Sequence, residues 1–261
     1  MALKGKVAVV TGSTSGIGLG IARALAAEGA DIMLNGFGDA AAIEALRAGL
    51  AAEFGVRVAY NGADLSKAEG VAGLIGAAEA ELGAVDVLVN NAGIQFVAPV
   101  DEFPNEKWEQ VIALNLSAVF YGMKAAIPGM KARGWGRIIN IASAHGLVAS
   151  ANKVAYVAAK HGVVGATKVA ALELANAGVT VNAICPGWVL TPLVQKQIED
   201  RAKANGTSID EEKVKLLSEK QPMHKFTTPE HLGALAVFLC SDGAETMTGV
   251  VHSMDGGWVA Q

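Results

Sequence analysis

Residues 6–18, KVAVVTGSTSGIG, decide the fold of this chain. The run KVAVVT is short and apolar, as in buried parallel strands. Gly12, Gly16 and Gly18 then allow a sharp turn and a close approach of the backbone to a ligand. Residues 19–28 have a helical pattern, and the free N–H groups at a helix start favour a pyrophosphate. The stretch predicts a dinucleotide-binding loop, with a purely structural turn as the alternative.

The rest of the chain repeats this alternation of strand and helix. Strands are predicted at 30–35, 57–62, 85–89, 137–142, 179–185 and 248–253, and helices at 40–54, 67–82, 105–130, 154–170 and 229–240. This order predicts an α/β fold: one Rossmann-type, doubly wound parallel sheet of about seven strands with helices on both faces. We expect a single domain over residues 1–261, with ligands bound at the carboxyl ends of the strands.

Composition narrows the class of protein. The chain has 52% hydrophobic and 18% charged residues, which is enough to bury a large core. Its net charge of −4, without a basic cluster, argues against nucleic acid as a partner. No run of eighteen apolar residues and no signal peptide is present, so we expect no membrane segment and a cytoplasmic location. Cys185 and Cys240 lack metal-ligand spacing, so we expect reduced thiols and no metal site.

The residues that suggest chemistry lie between 140 and 165. Tyr156 and Lys160 are four apart in a predicted helix and so share a face. Ser143 follows a buried strand and can approach the same face. A nearby ammonium lowers the pKa of a phenol, so Lys160 is expected to lower the pKa of Tyr156 and make it an acid/base near neutral pH. An isolated Y-x-x-x-K pattern also occurs by chance in structural helices.

The end of the second strand bears on the cofactor. Dinucleotide sites often place an acid there for the ribose, or an arginine nearby for a 2′-phosphate. This chain has Asn35, Gly36 and Phe37 instead, with Asp39 close by. We therefore predict NAD in preference to NADP, with Asn35 able to contact a ribose hydroxyl. Asp64 could meet the adenine amino group or cap the next helix.

Two asparagines have alternative interpretations. Asn91, in the small-residue turn after the fourth strand, either contacts the cofactor or only stabilises the turn. Asn115 lies within the apolar pattern ALNLSAVF and must satisfy its amide there. It either holds a water that links Lys160 to solvent, or bends the helix. Residues 193–222 are charged and helical in pattern, and we interpret them as a mobile lid over the site.

Taken together, Thr11-Gly-x-x-x-Gly-x-Gly18, Asn90-Asn-Ala-Gly93, Asn115, Ser143, Tyr156-x-x-x-Lys160 and Pro186-Gly187 resemble the short-chain dehydrogenase/reductase family along the whole chain. The resemblance implies hydride transfer at a carbinol and a homotetramer. It implies that Tyr156 is the acid/base, that Lys160 lowers its pKa and contacts the ribose, that Ser143 orients the substrate and that Asn115 relays protons. The expected cofactor-binding residues are Gly12, Thr14, Ser15, Gly16, Ile17, Gly18, Asn35, Phe37, Asp64, Leu65, Asn91, Ala92, Gly93, Tyr156, Lys160, Pro186, Gly187, Val189 and Thr191.

Within the family, the chain is most similar to bacterial members that oxidise (R)-3-hydroxybutyrate to acetoacetate with NAD. A cation and amide donors suit a small carboxylate, and flat apolar walls limit its length. The expected substrate-binding residues are Gln95, Ser143, His145, Lys153, Tyr156, Trp188, Gln197 and Trp258. The alternatives are a 3-oxoacyl-carrier-protein reductase, another family member, or a non-catalytic NAD-binding protein. The resemblance also allows a structural Mg²⁺ at the C-terminal carboxylate of Gln261, but no catalytic metal.

Overall fold

The structure, a computed structural model, describes residues 2–260. Its seven parallel strands form one sheet with the order β3-β2-β1-β4-β5-β6-β7, which confirms the doubly wound α/β prediction. The order reverses between β1 and β4, which in such sheets is the position of the ligand crevice, at the carboxyl ends of the strands. The strands are β1 (Val7–Val10), β2 (Asp31–Asn35), β3 (Val58–Asn61), β4 (Val87–Asn90), β5 (Gly136–Ile141), β6 (Val179–Pro186) and β7 (Val251–Met254).

Helices cover both faces of the sheet because alternate strand residues point to opposite sides. Leu88 and Ile138 belong to one hydrophobic core. Their neighbours Val89 and Ile139 belong to the other core, on the opposite face. The helices are α1 (Gly16–Ala27), α2 (Ala40–Phe54), α3 (Ala68–Leu82), α4 (Asn105–Ile112), α5 (Ala118–Arg133), α6 (Val154–Leu174), α7 (Pro192–Asn205), α8 (Ile209–Ser218) and α9 (Pro229–Cys240).

The predicted helix 105–130 is present but is not uniform. A π-helical turn, Ala113–Ser117, joins α4 to α5 and contains Asn115. The continuous helix Asn105–Arg133 is the one helix among residues 2–260 that is long and apolar enough to cross a membrane by those two criteria alone. Val119, Met123 and Met130 on this helix pack into the core beneath the sheet, as expected for a core helix.

The predicted lid consists of α7 and α8, joined by a short turn. The Glu212 carboxylate on α8 is fully buried between them. It accepts hydrogen bonds from Thr207 Oγ1 at 2.8 Å, Lys215 Nζ at 2.9 Å and Asn205 Nδ2 at 3.2 Å. It also pairs with Arg201 Nε on α7 at 3.3 Å. These bonds tie the two helices into one unit, whose mobility stays a prediction, as do the domain limits 1–261.

Two of the expectations from the sequence concern metal ions. Among residues 2–260, no group of three or more His, Cys, Asp or Glu side chains could hold a metal ion. Gln261, the candidate ligand for a structural Mg²⁺, lies outside the described residues. Both cysteines are free and buried.

Candidate active site

The glycine loop between β1 and α1 has the backbone geometry that the sequence predicts. Gly12 and Gly16 have φ angles of 62° and 56°, which side chains rarely adopt. A Cβ on Gly18 would overlap the Gly12 carbonyl, so this position also requires glycine. Helix α1 starts at Gly16, its N-cap Ser15 makes no side-chain capping bond, and its first turn has no acidic residue. The N–H groups there are thus free for an anion.

Asn91 fixes the floor of the crevice between β1 and β4. Its Nδ2 donates to the Thr11 carbonyl at 2.9 Å and to the Gly12 carbonyl at 3.1 Å. In return, Thr11 Oγ1 accepts the backbone N–H groups of Asn91 at 2.8 Å and Ala92 at 2.9 Å. The Asn91 side chain therefore stabilises the turn and holds the glycine loop against the end of β4.

Asn35 is buried, which the sequence did not predict. Its Nδ2 donates to the carbonyls of Asn61 at 2.9 Å and Ala63 at 3.2 Å, and its Oδ1 accepts the Gly12 N–H at 3.3 Å. Only 2% of the residue is exposed. The amide thus joins the glycine loop to the end of β3, and this arrangement does not support the expected ribose contact. Phe37, two residues after β2, is 70% exposed.

Asp64 and Leu65 follow β3. The Asp64 carboxylate accepts the Ser66 backbone N–H at 3.0 Å, and hydrogen bonds with Ser66 lower the pKa of this carboxyl. Helix α3 begins later, at Ala68, with Lys67 as its N-cap, so Asp64 is not the cap that the sequence allowed. Asp64 is exposed and Leu65 is buried, which leaves the carboxylate accessible at the rim of the crevice.

Ser143, Tyr156 and Lys160 come together at the carboxyl end of β5. Ser143 follows this strand, while Tyr156 and Lys160 lie one turn apart on α6. Lys160 is 4% exposed and its Nζ lies 5.6 Å from the centre of the Tyr156 ring. The same Nζ donates to the Ile141 carbonyl at 2.7 Å. The sequence-predicted trio is thus one compact group in the crevice.

The protonation of this group differs from the sequence prediction. Burial raises the pKa of the Tyr156 phenol, and a hydrogen bond with Ser143 lowers it to a smaller extent. Burial lowers the pKa of the Lys160 ammonium to about 8, opposed by the nearby Cys185 thiol. The sequence predicts that Lys160 lowers the pKa of Tyr156, whereas burial raises this pKa here and Lys160 is not among the groups that lower it.

Asn115 is fully buried in the π-helical turn. Its Oδ1 accepts the Ile94 N–H and its Nδ2 donates to the Ile94 carbonyl, both at 2.8 Å. The amide is therefore satisfied by the loop that follows β4, in a widened helical turn, as the structural alternative predicted. A Cβ on Gly93 would lie 3.2 Å from Asn115 Oδ1, so the glycine permits this close approach. A proton relay through Asn115 stays a prediction.

One wall of the site is aromatic. The buried His145 ring meets Tyr156 edge to face, with 5.8 Å between ring centres, and meets Trp258 in the same way at 5.0 Å. His145 Nε2 lies 2.9 Å from Ser150 Oγ and Nδ1 lies 3.4 Å from Ser143 Oγ. Burial, followed by the charge of Lys153, lowers the pKa of His145 to about 4. The imidazole is therefore neutral at pH 7.

Lys153 and Trp188 form the adjacent side. Lys153 Nζ lies 6.0 Å from the centre of the Trp188 ring, and burial lowers the pKa of this ammonium. Gln95, after β4, and Gln197, on α7, are both exposed. No hydrogen bond within residues 2–260 holds either amide in the site. Of the predicted substrate-binding residues, the structure thus assembles Ser143, His145, Lys153, Tyr156, Trp188 and Trp258.

The loop after β6 brings the remaining cofactor candidates to the crevice. A Cβ on Gly16 would lie 3.6 Å from Thr191 Cγ2, so this loop lies opposite the glycine loop. The Thr191 hydroxyl caps α7 by accepting the Val194 N–H. Val189 is buried and forms an isolated parallel β-bridge with Thr227. Pro186 ends β6, and Gly187 follows it at the base of the lid.

Sequence reasoning missed several supporting residues. Gln221, after α8, is 1% exposed, and its Oε1 accepts the backbone N–H of Trp188 at 2.6 Å. The buried Asp255 accepts the N–H groups of Gly257 at 3.1 Å and Val259 at 2.9 Å, which holds the turn that carries Trp258. Ser150 holds the His145 ring through the contact between Ser150 Oγ and His145 Nε2 at 2.9 Å. The Asp-Gly-Gly turn could have signalled Asp255, but nothing in the sequence indicates the distant partner of Gln221.

These residues fit a nicotinamide dinucleotide. The uncapped start of α1 and the positive-φ glycines suit a pyrophosphate. Lys160 supplies a buried cation beside Tyr156 at the far end of the same crevice, where a ribose and nicotinamide would lie. A bound nicotinamide supplies hydride transfer. The side chains of this chain orient a hydroxyl or carbonyl at Ser143 and exchange its proton with the Tyr156 oxygen.

Comparison with known proteins agrees with this fold and site. Residues 12–259 match a family model described as enoyl-(acyl carrier protein) reductase. L-Sorbose reductase from Gluconobacter frateurii, solved with NADPH and L-sorbose, has a TM-score of 0.95 and 34% identity, with 100% of each chain covered. This chain belongs to the short-chain dehydrogenase/reductase family and is an oxidoreductase with a nicotinamide cofactor.

Two curated relatives are similar over their full length. D-beta-hydroxybutyrate dehydrogenase from Cupriavidus necator is 60% identical over 260 residues, which covers 99% of this chain and 100% of the relative. D-beta-hydroxybutyrate dehydrogenase from Rhizobium meliloti is 52% identical over 256 residues, with 98% and 99% covered. The family resemblance predicted from the sequence motifs is thereby confirmed, including the subgroup within the family.

Proposed function

We propose that this protein catalyses the reversible, NAD-dependent oxidation of (R)-3-hydroxybutyrate to acetoacetate. The observation that carries the proposal is the placement of Tyr156 between a buried Lys160 and the wall of His145 and Trp258. The Tyr156 phenol therefore lies where it can exchange a proton with the substrate, beside the residues that recognise a small substrate. The full-length similarity to two D-beta-hydroxybutyrate dehydrogenases supports this choice of substrate.

In this reaction, the hydroxyl oxygen of the substrate is held by Ser143 and loses its proton to Tyr156. The C–H hydrogen leaves as a hydride, which the nicotinamide accepts, so the carbinol becomes a ketone and two electrons are transferred. In the reverse direction, Tyr156 returns the proton to the carbonyl oxygen. Lys160 stabilises the phenolate formed during this exchange, since an ammonium favours a nearby negative charge.

The carboxylate of the substrate pairs with Lys153 in this proposal. The Lys153 ammonium is partly desolvated beside Trp188, and an ion pair with a carboxylate compensates for that desolvation. Gln95 and Gln197 add amide donors when their segments approach the site. Trp188 and Trp258 limit the acid to a few carbons.

We infer NAD in preference to NADP from the end of β2. Asn35 is buried there, Phe37 is exposed, and Asp39 follows. No arginine or lysine lies between residues 31 and 39, so a 2′-phosphate would meet an apolar ring and a carboxylate. The proposal predicts a higher kcat/KM with NAD, and a higher value with NADP would reject it.

The deciding experiment measures NADH formation with both enantiomers of 3-hydroxybutyrate, lactate and 3-hydroxyhexanoate. We expect turnover with (R)-3-hydroxybutyrate and much weaker turnover with the other acids. Tyr156→Phe is the matched variant: it should lose nearly all turnover while NADH binding is retained. Equal activity on all acids, or full activity of Tyr156→Phe, would contradict the proposal.

A carrier-protein reductase is the second candidate, because the matching family model has that kind of description. Such an enzyme docks an acidic carrier, whereas this chain has a net charge of −4 without a basic cluster. NADPH-dependent reduction of 3-oxoacyl carrier protein distinguishes the two. A non-catalytic NAD-binding protein is distinguished by the absence of all turnover. A homotetramer and a cytoplasmic location stay predictions, the former testable by light scattering.

A further inference from the structure

Asn152 has an unusual backbone conformation beside the proposed carboxylate site. Its φ angle is 66°, and it is the only residue other than glycine with a positive φ among residues 2–260. Side chains disfavour this left-handed region because Cβ approaches the following carbonyl, and asparagine tolerates it better than most residues. Asn152 is exposed, and no hydrogen bond among these residues reaches its side chain. Side-chain packing therefore does not explain its conformation.

The backbone of Asn152 has a specific contact. Its carbonyl accepts the Ala98 N–H at 3.0 Å. Ala98 lies in the segment after β4, three residues beyond Gln95 and four beyond Ile94, whose backbone is held by Asn115. The segment that carries Gln95 is thus attached at one end to Asn115 and at the other end to Asn152.

The residue after Asn152 is Lys153, the N-cap of α6. The left-handed turn at Asn152 therefore sets the direction in which the chain enters α6 and places the Lys153 side chain beside Trp188. One backbone conformation thereby fixes two proposed carboxylate-binding elements: the loop with Gln95 through its carbonyl, and Lys153 through chain direction.

We propose that Asn152 is a positioning residue that sets the spacing between Gln95 and Lys153 and so determines the affinity for a short carboxylic acid. The inference rests on the proposed function, because that function assigns these two residues to the carboxylate. A residue that holds its neighbours in place before binding reduces the entropy lost on binding. A substitution of Asn152 should therefore change mainly the KM for the acid, since Asn152 touches neither the reacting atoms nor the cofactor candidates.

The test compares three substitutions. Asn152→Gly keeps the left-handed conformation accessible, whereas Asn152→Val strongly disfavours it. Ala151→Val introduces the same β-branched side chain at the exposed neighbouring position and serves as the control. We expect Asn152→Val to raise the KM for (R)-3-hydroxybutyrate about tenfold or more, with the KM for NAD within about twofold. Asn152→Gly and Ala151→Val should stay within about threefold of wild type for both substrates.

A second readout does not depend on the identity of the substrate. Hydrogen exchange of a peptide that contains Ala98 should become faster in Asn152→Val than in Ala151→Val, because the N–H loses its acceptor. Similar exchange in the two variants, or an equal rise of both KM values, would overturn the proposal. If the wild-type protein does not oxidise 3-hydroxybutyrate but the exchange result holds, the proposed function fails and the positioning role of Asn152 remains.

Discussion

The Lys160 ammonium donates to the Ile141 carbonyl at 2.7 Å, and this bond attaches α6 to the last residue of β5. The lysine is buried, so its charge is held where water cannot solvate it. Burial of the charged ammonium costs free energy, and this cost lowers the pKa of Lys160 from the ordinary 10.5 to about 8. A group that is needed beside Tyr156 for chemistry therefore opposes the stability of the fold.

The first prediction concerns this cost. Because the folded protein binds the Lys160 proton less tightly than the unfolded chain, the penalty is full below pH 8 and disappears as pH rises from about 8 to 10.5. Lys160→Met should thus have a higher free energy of unfolding than wild type at pH 7, by at most about 3 kcal/mol. This difference should become smaller at higher pH. Thermal unfolding at pH 7 and 9.5 measures this. Lys168→Met, at an exposed position on α6, should show no such change.

The second prediction concerns acid stability. The pKa of His145 is about 4 because the ring is buried and lies near Lys153, whereas an unfolded histidine titrates near 6.5. The unfolded state thus binds the extra proton first, and stability falls as pH decreases from 6.5 to 4. His145→Gln should reduce the loss of Tm between pH 7.5 and 4.5 by a few degrees. His224→Gln, an exposed control, should leave it unchanged, and an equal response of both variants would contradict the assignment.

The third prediction tests the carboxylate partner. Lys153→Ala should raise the KM for the hydroxy acid about tenfold or more, because the substrate loses its ion pair. The KM for NAD should change by less than about twofold. Lys203→Ala, an exposed lysine near the end of α7, is the control. Steady-state kinetics with each substrate varied in turn separates these effects; an unchanged acid KM would remove Lys153 from the site.

The fourth prediction concerns the base of the lid. A Cβ on Gly187 would lie 2.5 Å from Gln221 Oε1, so this amide fills the space beside the loop that carries Trp188. Gln221→Met removes the acceptor of the backbone N–H of Trp188. We expect a higher KM for the acid and faster tryptic cleavage within α7 and α8. Gln110→Met, at an exposed position, should change neither quantity. Unchanged cleavage in Gln221→Met would show that the amide does not hold the lid.

The fold was predictable because its signals are local in sequence. These signals are apolar runs, glycine turns and the residues that bound helices, and each can be read from a few neighbouring residues. The structure has, for example, the predicted helices 40–54 and 229–240 at the same positions. Tyr156 and Lys160 were equally accessible, because their spacing places them on one face of a helix.

The parts of the site that the sequence did not reveal depend on distant partners. The sequence gives no partner for the Asn35 amide, yet this amide donates to the carbonyls of Asn61, the last residue of β3, and of Ala63, just after that strand. The pKa of Tyr156 depends on how much protein surrounds the phenol, whereas the spacing to Lys160 indicates only the presence of a charge. Such properties arise from three-dimensional packing and have no short sequence pattern.

The bonds of Glu212 have an evolutionary consequence. All its partners, Arg201, Asn205, Thr207 and Lys215, lie within residues 192–218, so the helical hairpin carries its own internal support. Related enzymes can therefore differ in this hairpin while Ser143, Tyr156 and Lys160 keep their places.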